Sequence, residues 1–232
     1  MKTIRLLLIT ALATVIVTGA AAQNIFFPTK PGTVSLYSNR DSKDKVTSYL
    51  QQTVKDVEGS GGNLTISCLG EVLNKDKKPT SDPPAQVPYK IAVRDWAVIL
   101  DITQMFADAP KDKSLNIKLS GVPMELPGDL QPGQSLKDSN LSVSVDMGMI
   151  KINAEMKMTD GKCLAIEEVT VPGGTFTCHK VTQTITITIM KKNIVSRIDL
   201  WLVPGVGSVK AEIYDRKGKL QGRTELEQLN NQ

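Results

Sequence analysis

From residue 32 onward apolar and polar residues alternate with period two, and no other feature constrains the chain as tightly. Residues 182–189 read Thr-Gln-Thr-Ile-Thr-Ile-Thr-Ile. Successive side chains of a strand point to opposite faces, so Ile185, Ile187 and Ile189 share one face, expected to be core, and Thr184, Thr186 and Thr188 share the wet one. Similar runs span 34–37, 47–57, 63–73, 141–145, 149–158, 194–203, 206–214 and 220–229. Turn residues bound them, among them Gly61-Gly62 and the charged runs 41–45 and 215–219. Trp96, Val98, Leu100 and Ile102 alternate with Ala97, Ile99 and Asp101 in a strand covered on both faces. Helix is confined to one short turn over 102–107, ahead of Pro110. The spacing predicts an all-β protein, an antiparallel meander forming a curved sheet or open, partial β-barrel.

Two stretches read as loops. Residues 74–90 carry Pro79, Pro83, Pro84 and Pro88 with a lysine run, the pattern of a solvated Pro-rich loop. Residues 127–140 hold Pro, Gly and Asp punctuation and are expected to cross between two sheets. Neither is long enough to divide the chain, so 23–232 reads as one domain. Residues 32–37 and 207–214, each leading to a charged turn, echo one another as hairpins rather than as a repeat.

Residues 1–22 carry the marks of a cleavable signal peptide. Lys2 and Arg5 form a positive start, 6–17 an apolar run, and Ala20-Ala21-Ala22 the small residues that a signal peptidase needs. Cleavage there leaves Gln23 first. The apolar run is shorter than a membrane span of about 20 residues, and no later stretch reaches that length without charge. The first cysteine is Cys68, so no lipid-acceptor cysteine stands at the mature N-terminus. The expectation is export to the periplasm or beyond, neither membrane-spanning nor lipid-anchored. Losing Lys2 and Arg5 from 28 basic residues, against 24 acidic ones, leaves a net charge of about +2, too small and scattered for a nucleic-acid surface.

Export permits disulfides. Cys163 and Cys178 flank the turn at Pro172-Gly173-Gly174, so a hairpin pairs them and leaves Cys68 over. Bridges from Cys68 to either partner, or three reduced thiols, stay open as alternatives. Met147, Met149, Met156 and Met158 cluster within twelve residues. Of these, Met149, Met156 and Met158 are candidates to line an apolar cavity, although methionine also serves as ordinary core filling.

Catalytic patterns are missing from the sequence. Its single histidine, His179, supports neither a triad nor a two-histidine metal site. Cys178 and His179 are neighbours on a strand and face opposite ways, as do Glu167 and Glu168. Asp95 and Asp101, six residues apart on one strand, stand roughly 20 Å from each other. No Gly-x-Ser-x-Gly elbow or phosphate-binding glycine loop occurs. No cofactor and no catalytic residue is expected.

Residues 170–181, Thr-Val-Pro-Gly-Gly-Thr-Phe-Thr-Cys-His-Lys-Val, resemble the TPAGTF-x-C-x-K signature of domain-of-unknown-function 3108 proteins, in their TapB-like branch. Residues 201–210, Trp-Leu-Val-Pro-Gly-Val-Gly-Ser-Val-Lys, resemble the W-x-x-PGVG-x-VK element of that family. The hairpin at 214–220 and the stretch 126–138 are similar to further family patterns, whereas 74–90 departs from them. The resemblance implies an exported antiparallel β protein with no established activity and transfers no catalytic residue. Within it, Pro172, Gly173, Gly174, Pro204, Gly205 and Gly207 read as fold-determining turns, with Phe176 as core and Trp201 packed beneath the second.

The expected function is an exported, non-catalytic barrel-like protein that binds a hydrophobic ligand or lipid. An envelope assembly factor that holds a protein partner is the alternative. An exported carboxylate-dependent hydrolase is disfavoured by the unpaired acids.

Overall fold

The alternation becomes strand along most of the described residues. The computed structural model describes residues 24–101, 116–146, 151–189 and 192–230. The expected signal peptide at 1–22, the expected helical turn at 102–107, Met147 and Met149 lie outside these residues. The strands are β1 (Val34–Asp41), β2 (Val46–Ser60), β3 (Asn63–Leu73), β4 (Gln86–Arg94), β5 (Ala97–Leu100), β6 (Asn116–Val122) and β7 (Met124–Leu126). They continue as β8 (Ser139–Asp146), β9 (Lys151–Val171), β10 (Gly174–Ile189), β11 (Lys192–Val203), β12 (Gly207–Asp215) and β13 (Leu220–Asn230).

All belong to one antiparallel sheet ordered β6-β8-β9-β10-β11-β12-β13-β1-β2-β3-β4-β5-β7. Its two edges, β6 and β7, are consecutive in the chain and separated only by Pro123. β6 bonds to β8 and β7 to β5, so one run of backbone touches both ends of the sheet and nearly closes a barrel. Proline, lacking an N–H, marks the point where that run changes partner. Residues 127–138 therefore do not cross between two sheets. They run along β9, where Gly133 N donates to Cys163 O (2.8 Å), Cys163 N to Gln134 O (2.9 Å) and Leu136 N to Gly161 O (2.8 Å). This covers the part of β9 beyond its pairing with β8.

Three sequence readings change. The Pro-rich loop is shorter than 74–90, because Gln86–Arg94 is strand β4. Pro88 is tolerated opposite Leu69 because β4 meets β5 only from Ala92 to Arg94, leaving an edge beside the proline. Trp96 belongs to a turn: it and Asp95 have φ of 68° and 47°, and its indole packs on Gly62, where a Cβ would stand 2.6 Å from the ring. Ile185 and Ile187 are half-buried and Ile189 is 41 % exposed, so that isoleucine face is not closed core.

The main core fills the barrel with Val54, Ile66, Cys68, Ile91, Val93, Val98, Cys163, Val181 and Leu202. Phe26 enters it from an N-terminal segment that crosses one end of the barrel. Asn24 N donates to Gly128 O and Gly205 N to Ile25 O, both at 2.8 Å. A Cβ on Gly128 would stand 2.5 Å from Asn24 O, so glycine is what lets the segment lie this close. In a meander alternate turns fall at opposite ends. The turns after β2, β9 and β11 therefore share this closed base, and those after β1 and β12 lie at the other end.

Candidate functional site

Asp41 Oδ1 accepts from Lys43 N and Lys45 N (2.8 and 2.9 Å), and Asp215 Oδ1 accepts from Lys217 N and Lys219 N (2.8 and 3.0 Å). These two turns, the echo seen in sequence, hold the hairpins β1–β2 and β12–β13 at the end away from the base. Between those hairpins and the N-terminal segment lies an apolar cavity of about 340 Å³, open to solvent. Phe26 and Phe27 form its floor. Its walls are Leu50, Val98, Leu100, Met124, Leu126, Leu200, Leu202, Val206 and Ala211, and among the described residues Tyr37, Gln52, Ser208 and Thr224 are the only polar side chains. Thr224 Oγ1 and Asn39 Oδ1 are 2.9 Å apart, and Asn39 Nδ2 donates to Ser48 Oγ at 3.1 Å. No Asp, Glu, Lys, Arg or His lines the cavity among the described residues. Its volume lies at the lower end of the range of small-molecule sites.

Charges are spent on the outer face instead. Across β1, β11, β12 and β13 they pair as Arg40–Glu227 (3.1 Å), Arg40–Glu225 (3.4 Å), Lys210–Glu212 (2.9 Å) and Arg197–Asp199 (3.1 Å). Burial and a hydrogen bond to Glu212 push the Tyr214 phenol up to about 12. A second opening of about 420 Å³ lies outside β5, beside Arg94, Asp95, Glu125 and Lys137. Its Lys137 bonds Glu125 at 2.7 Å, and the lysine is largely exposed.

Beneath the floor, His179 meets Phe26 edge-on, with ring centroids 5.0 Å apart and an interplanar angle of 75°. The residue is 8 % exposed and its Nδ1 has no hydrogen-bond partner among the described residues. Burial lowers the imidazole pKa, and a hydrogen bond with the Leu202 backbone offsets this only in part. The folded protein thus holds His179 neutral. A group whose folded pKa lies below its unfolded value keeps its full contribution to stability above about pH 6.5 and loses it as pH falls toward the folded pKa. Stability is expected to fall below about pH 6.5 in the wild type, and less steeply in His179→Gln, as measured by urea midpoints across pH.

Cys178 belongs to the other side of the sheet, in a cluster with Val171, Trp201, Val209 and Leu226. No Cys178–His179 pair forms, as strand alternation requires. The disulfide Cys163–Cys178 is not formed: Cys68, Cys163 and Cys178 are all free and buried. Cys178 stands opposite Glu167 and Cys163 opposite Val181. That offset of three to four residues separates them by roughly 10 Å along the hairpin, beyond the ~7 Å reach of a disulfide. Burial pushes Cys68 and Cys178 up to about 11, so these thiols stay protonated and poorly nucleophilic.

The same second cluster gathers the sequence turns. Gly173 N donates to Leu226 O (2.9 Å), and a Cβ there would lie 3.0 Å from that oxygen, so the turn after β9 lies directly on β13. Pro172 is exposed at the tip, and Gly174, Gly205 and Gly207 have φ of 136°, 72° and 96°. Pro204 and Gly205 turn the chain so that Gly205 N can hold the N-terminal segment. Phe176, half-buried, and Trp201 both pack in this cluster.

These signature turns therefore lock the base of the barrel. A family model, DUF3108-like, matches residues 30–226. The chain belongs to the DUF3108-like family. A solved protein from Bacteroides fragilis, described as exported with a YmcC-like fold, superposes with a TM-score of 0.70 at 20% identity, covering 90% of this chain and 100% of that one. A protein from Parabacteroides distasonis, described as a lipoprotein, gives 0.70 at 22% identity, covering 89% and 99%. At these identities the likeness is one of fold. No curated protein matches the chain.

Met156 and Met158 do not line the cavity. Met158 packs against the main core and borders a crevice with Leu100, Met124 and Leu141, and Met156 is half-buried farther out. The cavity's methionine is Met124. Sequence reasoning missed the floor, whose only signal was Phe26-Phe27, two of the chain's four phenylalanines, just after the expected cleavage point.

Proposed function

We propose that this protein is an exported, non-catalytic carrier or receptor that takes a hydrophobic ligand or lipid into the barrel cavity. One observation carries the reading: an open cavity of about 340 Å³ with an apolar wall and, among the described residues, no charged lining residue. Such a site gains from removing apolar surface from water and offers no buried charge to fix a substrate for chemistry. Export is supported by the N-terminal segment and by the fold shared with proteins described as exported and as a lipoprotein. The absence of a cysteine before Cys68 supports release without an N-terminal lipid anchor.

Native mass spectrometry of the mature protein from its own host is expected to find a bound apolar molecule. Ala211→Trp, which places an indole in the cavity, is expected to weaken binding of a fluorescent hydrophobic probe at least about tenfold, since affinity here scales with apolar area buried. Unchanged binding by Ala211→Trp would remove the cavity from the reading.

A further inference from the structure

The apolar interior does not end at the cavity. Leu100 and Met124 line both the cavity and a crevice whose other side is Leu141 and Met158. From there β8, β9, β10 and β11 continue toward the open end as a wall. Directly opposed residues share a face. Leu141 opposes Met156, Met156 opposes Ile187, and Ile187 opposes Ile194. In the next row out, Val143 opposes Ala154, Ala154 opposes Ile189, and Ile189 opposes Lys192. Two residues along, in the inward direction, Met158 opposes Ile185. The three rows span roughly 13 Å along the strands. Ile194 is 58 % exposed and Ile189 41 %. Asp101 borders the crevice beside Leu100, and in the three rows of the wall the one charged residue is Lys192, at the outer end.

We infer that the ligand is a single unbranched acyl chain longer than the cavity, bound tail-first, with its upper methylenes on the β8–β11 wall and its headgroup in water. This rests on the cavity reading above and adds the chain's class, length and direction. At roughly 30 Å³ per water-sized group the cavity holds only about eleven methylene-sized groups. A compact hydrophobe would fill it and leave the wall bare. A peptide would bring backbone N–H and C=O groups into a cavity with few partners for them, at several kcal/mol each in hydrocarbon. An acyl chain has none. A charged headgroup would find no counter-charge in the cavity among the described residues, so the tail enters first.

The test displaces a fluorescent hydrophobic probe from the full mature protein with octanoyl, lauroyl and palmitoyl lysophosphatidylcholine. Affinity is expected to rise by up to roughly fourfold per methylene, through lauroyl and on to palmitoyl. Ile194→Asp, at an exposed position, and Ile187→Ser are expected to abolish the gain from lauroyl to palmitoyl and leave octanoyl binding unchanged. Palmitoyl binding no tighter than lauroyl, or insensitive to both wall variants, overturns the wall while the cavity reading survives. Failure of all three chains to displace the probe overturns the cavity reading itself.

Discussion

Phe26→Ala is expected to destabilise the protein by about 3–5 kcal/mol, the usual cost of truncating a buried phenylalanine. Phe26 is 2 % exposed, and its ring is both the floor of the cavity and the lid on His179. The segment that carries it belongs to no strand. Its backbone is tied to Gly128 and Gly205 by two hydrogen bonds, each worth about 1 kcal/mol net. The buried ring is therefore the main apolar anchor of the segment, with Ile25 and Phe27 packed against the core beside it. Removing the ring joins the void to the cavity and admits water to the imidazole, so the His179 pKa should climb back toward its ordinary value. Two measurements check this: the urea unfolding midpoint at neutral pH, and the slope of stability against pH below about 6.5. A loss under about 1 kcal/mol would mean that the N-terminal segment does not seal the barrel.

Trp201→Ala should cost a similar 3–5 kcal/mol through the second core. Trp201 is 5 % exposed and packs among Val171, Cys178, Val209 and Leu226. Its indole N–H donates to Glu167 Oε1 at 2.6 Å. The Lys180 and Lys210 ammonium groups lie 4.8 and 4.6 Å from its ring centroid. Trp201→Phe keeps an aromatic face and loses the N–H and part of the area, so about 1–2 kcal/mol is expected. Equal losses in the two variants would show that the hydrogen bond to Glu167, rather than packing, carries the contribution. Neither variant touches the cavity lining, so probe affinity of the folded fraction should stay at the wild-type level.

Much of the sheet was legible because a half-buried strand writes itself as alternation. β3 was readable to the residue from its bounding turns, and the hairpins at 41–45 and 215–219 from their Asp and Lys residues. β4 was hidden because Pro88 and the lysine-rich approach mark a loop by composition, and only the unpaired edge beside Pro88 makes a strand compatible with it. The second half of β9 was read as strand at Glu167 and Glu168 but not joined to the run at 149–158, because bulges against β10, at Lys180/Val181 and Thr182/Thr184, break the alternation. The disulfide reading failed for a related reason. A turn between two cysteines brings strands together, but register decides whether the thiols meet.

The candidate site was legible in kind and not in place. An apolar, uncharged interior follows from alternating β-branched residues and unpaired acids, so the general idea of a hydrophobe site was available from the residues alone. Its lining was not. Leu50, Leu100, Met124, Leu200 and Ala211 come from five strands that are far apart in sequence, and no local period reports which inward faces converge. The methionine cluster drew attention by density, yet Met158 packs at the rim of the main core and Met156 lies farther out on the sheet, neither lining the cavity.

By itself the sequence determined the all-β class, the antiparallel order of neighbouring hairpins and the family. Each of these is carried by local period, turn chemistry or residue type. Tertiary structure alone decided that β6 and β7 bring the two edges together and that Phe26 stops the base. It also decided that the Ile185 face stands half-open beside the cavity. Those outcomes depend on contacts between residues tens to more than a hundred positions apart, where burial and register act on the closed sheet as a whole.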